Sequence, residues 1–134
     1  MDFSLTERQV CYRDLVKAFI DSEVRPLVHS YEEELASGDR WLSLEVIEGL
    51  KIKAKAAGLW NLFLPPSHGH VHIDDSFTFS GERLTNLEYA LCAEEMGRIH
   101  WASEVFNCSA PDTGNMEVFH KYGTRAHKDR WLAP

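Results

Sequence analysis

The chain has 134 residues, a length that suits one domain with its own core. Its hydrophobic and charged fractions, 44% and 26%, are those of a soluble globular protein, and a net charge of −7 argues against a nucleic-acid surface, which needs a dense basic patch. The longest apolar stretch, residues 59–66, falls far short of the ~20 residues a membrane helix requires, and the amino terminus lacks the basic and apolar regions of a signal peptide.

In chain order the pattern is helical. Ser4-Leu5-Thr6-Glu7 reads as a capping box in which the Ser4 hydroxyl meets a free backbone N–H and Glu7 reaches back. Cys11, Leu15, Ala18 and Phe19 then share one face at helical spacing. Pro26 ends or kinks this helix near Arg25. A second helix covers about 26–36 and stops at Gly38. Ser43 caps a third, whose stripe is Ile47, Leu50, Ala54 and Ala57 and whose end is Gly58. Residues 67–83 break the pattern and read as a loop with room for a short strand pair. Thr85-Asn86-Leu87-Glu88 is a second capping box, opening a helix over 86–99 that is apolar almost all round and therefore reads as central and buried. Asp112 caps a helix ending at Tyr122, and Thr124 caps a last one to Leu132. The predicted fold is all-α: one domain, 1–134, of about six helices in an orthogonal or up-and-down bundle.

Four groupings could carry chemistry. His68, His70, His72 and Asp74 would project to one face of a strand, as zinc ligands could, but Cβ atoms ~6.5–7 Å apart converge poorly on a tetrahedral ion. Glu117-x-x-His120 matches half of a di-iron carboxylate motif; without a second copy it reads as two polar residues on an exposed face. Glu94 and Glu95 sit in the apolar helix, where Arg98 offers Glu94 an ion pair four residues on. Cys108-Ser109, with His100 or His120 nearby, lacks any motif that would supply a base, and no Gly-rich phosphate loop occurs. The three cysteines fit neither a disulfide framework nor a zinc site and read as free buried thiols.

Several stretches resemble a known family. Residues 84–98 carry an "A-x-x-A-E-E-x-G-R" pattern, and the ending Tyr122-Gly123-Thr124, Lys128, Arg130-Trp131-Leu132, Pro134 follows it at the right spacing. Phe3-Ser4-Leu5-Thr6 and the segment from Gly58 to Pro65 agree with earlier family pieces. In order and spacing these are similar to the amino-terminal helical domain of acyl-CoA dehydrogenases. Residues 107–116 look most like long-chain members related to kinase–dehydrogenase fusions. The departure is 67–83, where the family runs almost directly into the next helix.

The resemblance implies an FAD-dependent α,β-dehydrogenation of acyl-CoA thioesters. It also implies that flavin and the proton-abstracting carboxylate belong to a middle β domain and a C-terminal bundle, both absent here. This domain would form one wall of the acyl-chain cavity, mapping to Val105, Phe106, Ser109 and Thr113, where side-chain size sets chain-length selectivity. Val105 and Phe106 have a plainer reading as domain core. No catalytic, flavin-binding or metal residue is expected in this chain, which alone should be inactive. The full-length protein would be a homo-oligomer binding acyl-CoA, without nucleic acid or a membrane span. Its compartment would be cytoplasmic in a bacterium, mitochondrial or peroxisomal in a eukaryote. The competing reading is a stand-alone helical interaction or lipid-binding module. If residues 59–66 and the fifth-helix face are normally covered by other domains, the isolated chain should self-associate.

Overall fold

A computed structural model describes residues 4–39, 41–66, 77 and 80–134. Every regular element among them is helical: α1 Glu7–Phe19, α2 Val28–Ser37, α3 Glu45–Ala56, α4 Asn86–Met96, α5 Ala102–Val105, α6 Asp112–Tyr122 and α7 Arg125–His127. Among the described residues no helix is long and apolar enough to cross a membrane. The all-α bundle expected from the sequence is present. The His68–His72 triad and the expected strand pair lie outside the described residues, apart from Phe77 and residues 80–83.

The first helix starts two residues later than the Ser4 capping box implies. Thr6 is the cap: its hydroxyl accepts from the Gln9 N–H at 3.2 Å, and the Gln9 side chain accepts from the Thr6 N–H at 2.8 Å. The buried face also differs. Val16, Phe19, Ile20 and Val24 enter the core, whereas Cys11 and Ala18 are exposed and Leu15 is 48% exposed. Two apolar stripes overlap on this helix, and the β-branched one faces inward. Pro26 does not end the run. A π turn over Ile20–Val24 and a 3-10 turn over Arg25–Leu27 carry the chain into α2, so the missing proline N–H falls where the helical bonding changes pitch.

The third helix is capped from a distance. Leu44, not Ser43, occupies the cap position, and it offers no side-chain bond. Instead the Glu34 carboxylate of α2 accepts from the backbone N–H groups of Glu45 and of Val46, the latter at 3.1 Å. A negative group at a helix N-terminus meets both the free donors and the dipole. At the other end Gly58 takes φ +71°, Leu59 N–H bonds Ala54 O at 2.9 Å and Gly58 N–H bonds Lys55 O at 3.1 Å, a Schellman closure. Ile47, Leu50 and Ala54 are buried as the periodicity requires; Ala57 is exposed.

The core runs from α1 through the 59–64 segment to α5. Phe19 meets Phe106 edge-on at 5.4 Å, and Tyr31 of α2 stacks on Trp101 at 4.4 Å. Leu59, Leu62, Phe63 and Leu64 are buried within this chain, so the expectation that residues 59–66 form an exposed apolar surface does not hold. The large exposed apolar side chains are elsewhere, among them Trp41, Leu42, Ile52 and Leu87. Leu87 also corrects the reading of α4 as buried all round. This helix packs chiefly on α1, so Cys92, Glu95 and Met96 face inward while Leu87 and Ala90 face out.

The capping box of α4 is as predicted and does more than end a helix. The Glu88 carboxylate accepts from the Thr85 N–H at 2.7 Å and from its hydroxyl at 3.0 Å, and it pairs with Arg8 of α1 at 3.0 Å. Arg8 also pairs with Glu82 at 2.6 Å. The Thr85 backbone bond is the main reason the Glu88 carboxyl lies below its ordinary value of 4.5. Because the native value is depressed, this stabilisation is complete above the ordinary value and is lost as pH falls through the native one. We expect Glu88→Gln, which keeps a capping-box residue but loses the charge that pairs with Arg8, to cost less than about 1 kcal/mol at neutral pH and to lessen the loss of stability on acidification. Urea unfolding of both proteins across a pH series measures this.

Candidate functional site: the segment between α5 and α6

The four residues singled out from the sequence divide into two pairs. Val105 and Phe106 are both 0% exposed and belong to the core. Ser109 and Thr113 are half-buried, one in the connection and one in the first turn of α6. They are linked through the backbone, with Thr113 N–H donating to Ser109 O at 3.2 Å. Asp112 is the first residue of α6 rather than its cap, a position Pro111 takes.

The segment is held by an amide network, buried at Asn61 and half-buried at Asn107, that the sequence pattern did not reveal. Asn61 N–H donates to Phe106 O at 3.0 Å. The Asn107 amide donates to Asn61 Oδ1 at 2.7 Å and lies 3.5 Å from the Met116 sulfur. The Asn61 amide in turn donates to Ser80 O at 2.8 Å. Both asparagines hold left-handed backbone, φ +58° and +55°, a conformation Asn tolerates better than most residues. Beside them Gly81 has φ +127°, and any Cβ there would strike the Trp60 carbonyl. One signal was available: Asn61 interrupts the apolar run 59–64. An amide buried there must find partners.

Cys108 is fixed by the same loop. Its thiol donates to Phe106 O at 3.3 Å, and Tyr89 and the backbone N–H groups of Phe63 and Leu62 approach its sulfur. Burial pushes Cys108 up to about 11, and burial followed by the nearness of Cys108 does the same for Cys92. Burial also raises Tyr89. These shifts run opposite to nucleophile activation, which requires a stabilised thiolate. Cys11, by contrast, is exposed, which corrects the expectation of three buried thiols.

The remaining groupings among the described residues form ion pairs or enter the core. Arg98 forms its close pair with Glu95 at 2.8 Å, and Glu94 is more distant at 3.7 Å, so the three-residue spacing wins over the four-residue one. Glu117 pairs with Lys121, while His120 is 1% exposed rather than on an open face, because α6 turns it inward. Among the described residues no three His, Cys, Asp or Glu side chains gather as metal ligands would. A groove of about 380 Å³ lies between α3 and α6, bordered by Lys51, Lys55, Trp60, Asn115 and Phe119. Its lysines are engaged: Lys51 with Glu48 and Glu104, Lys55 over the Trp60 ring at 4.3 Å.

Comparison with known proteins gives one answer. The model of the acyl-CoA dehydrogenase N-terminal domain matches residues 6–134. The chain is 51% identical over 123 residues to acyl-CoA dehydrogenase family member 10 of Mus musculus, covering 92% of this chain and 11% of that protein. It is 38% identical over 137 residues to the probable acyl-CoA dehydrogenase FadE2 of Mycobacterium tuberculosis, covering all of this chain and 30% of that protein. A solved structure from Mycobacterium abscessus, described as an acyl-CoA dehydrogenase, superimposes with a TM-score of 0.77 at 42% identity, covering 98% of this chain and 32% of that one. The chain therefore spans less than a third of the length of these two curated relatives.

Two measurements check the site. Phe106→Ala should cost roughly 3–5 kcal/mol of unfolding free energy, the range for a large side chain lost from a core, and Ser109→Ala less than about 1 kcal/mol. In the native protein one thiol, Cys11, should react promptly with an aromatic disulfide reagent, and Cys92 and Cys108 only on unfolding. Rapid modification of all three would contradict the burial described.

Proposed function

The chain belongs to the acyl-CoA dehydrogenase N-terminal-domain family, and from that premise we propose that it serves as the substrate-side wall of an FAD-dependent enzyme. The reaction would be α,β-dehydrogenation of an acyl-CoA thioester. The observation that carries this reading is the match to one named domain over residues 6–134, in proteins several times longer. Flavin and the carboxylate that removes the α-proton would come from the middle and C-terminal parts of such a protein.

The side chains here support that division of labour. Binding a flavin dinucleotide calls for free backbone N–H groups at a helix end or uncommitted cations for the diphosphate. Among the described residues, the start of α3 is occupied by Glu34, and Lys51 and Lys55 are engaged. These groups are therefore engaged elsewhere, and in this reading no chemical step is assigned to the chain. Its part is steric. Ser109 and Thr113 would face the acyl chain, with Val105 and Phe106 as the packed layer behind them. In the assembled protein the ligand would be acyl-CoA and the state a homo-oligomer. The compartment would follow the source, cytoplasmic in a bacterium and mitochondrial or peroxisomal in a eukaryote.

The purified 134-residue chain should show no flavin absorbance and no acyl-CoA-dependent dye reduction. In a full-length enzyme carrying this domain, Ser109→Phe should lower kcat/KM for long acyl chains about tenfold relative to short ones, the scale of one or two methylenes of misfit. Dehydrogenation by the isolated chain, or an unchanged chain-length profile in Ser109→Phe, would count against the proposal.

A further inference from the structure

We infer that Asn61 is a positioning residue for the acyl-chain wall, acting through Asn107; this rests on the reading that Ser109 and Thr113 face the substrate. The two amides are 46 positions apart in sequence, yet they are joined directly at 2.7 Å. Each residue holds left-handed backbone, so each marks a point where the chain turns sharply. Asn61 grips the segment at two successive residues. Its N–H holds the carbonyl of Phe106, and its side-chain oxygen holds the amide of Asn107. Two bonds to adjacent residues fix direction as well as position.

The grip lies at the point where the chain leaves the core. Phe106 is fully buried on one side of it, and the half-buried Ser109 is two residues past Asn107 on the other. The path from Asn107 to Thr113 therefore starts from a fixed origin. Met116 extends the hold into α6, since its sulfur lies 3.5 Å from the Asn107 amide. Asn61 is itself tied to Ser80 O, which holds the segment before α4 at the same point. Glycine would satisfy the left-handed turn at 61 equally well. The amide adds only the side-chain bonds, which is the part a positioning role needs.

Asn61→Gly tests this in a full-length enzyme carrying the domain, because it keeps the backbone conformation and the bond to Phe106 O and removes only the amide. Steady-state dye reduction across acyl chain lengths should show KM rising for the longest substrates by about tenfold, with kcat at saturation much less affected. A displacement near 1 Å is enough for such a change. Asn107→Gly should give the same profile, and the double variant should be no worse than either single one. Equal losses on all chain lengths, together with reduced flavin content, would mean a merely structural role and overturn the inference. An unaltered profile in both glycine variants, while Ser109→Phe shifts it, would also overturn the inference and leave the wall reading standing. If Ser109→Phe shifts nothing either, the wall reading fails and the inference with it. Should Asn61→Gly fail to load flavin, Asn107→Gly carries the same comparison from the other side of the bond.

Discussion

Phe106 is where the core, the 59–64 segment and the α5–α6 connection meet. Its ring packs on Phe19 of α1, while its carbonyl accepts from the Asn61 N–H and from the Cys108 thiol. A buried carbonyl left without a donor would cost roughly 1–3 kcal/mol, so these bonds are required if the ring is to be buried at all. α5 is only four residues long and cannot sustain itself. It exists because residues at both its ends are held, Trp101 by stacking on Tyr31 and Phe106 by the contacts just named.

The same logic explains which charges the fold consumes. Glu34 leaves the surface of α2 to cap α3, and Glu88 closes the first turn of α4 while holding Arg8. Both carboxylates meet backbone N–H groups that no helix bond could satisfy. Most other ion pairs are exposed and contribute little individually. Among the described residues these two carboxylates therefore serve helix starts.

Helix starts and stops were legible where the signal is local. Thr85 with Glu88, Thr124, Gly38 and Gly58 all act as their residue types predict. The misses share a physical cause. Ser43 was a sound local cap, but the Glu34 carboxylate on another helix took its place. On α1 two stripes had comparable periodicity, and packing against α4 leaves Val16 and Ile20 buried and Leu15 exposed. Leu87 shows the converse: apolar composition does not bury a face that nothing covers. For the candidate wall, ordered motifs indicated where it lies along the chain. They could not separate core residues from half-buried ones, because Val105, Phe106 and Ser109 lie within five residues and their burial is set by contacts elsewhere in the chain.

That difference bears on how a wall without catalytic groups can discriminate. A pocket measures a ligand's length only if its lining does not yield when the ligand is too large. Close-packed interiors resist such displacement, because adding even a methylene forces side chains off their rotamers. In the proposed wall, Val105 and Phe106, with no exposed surface, would supply that stiffness from behind. The paired asparagines add directional bonds, which hydrophobic packing lacks. Packing alone would let the connection to α6 slide along the core, whereas the amide bond fixes where it emerges. In the proposed reading, selectivity would depend on residues the substrate never touches as much as on Ser109 and Thr113.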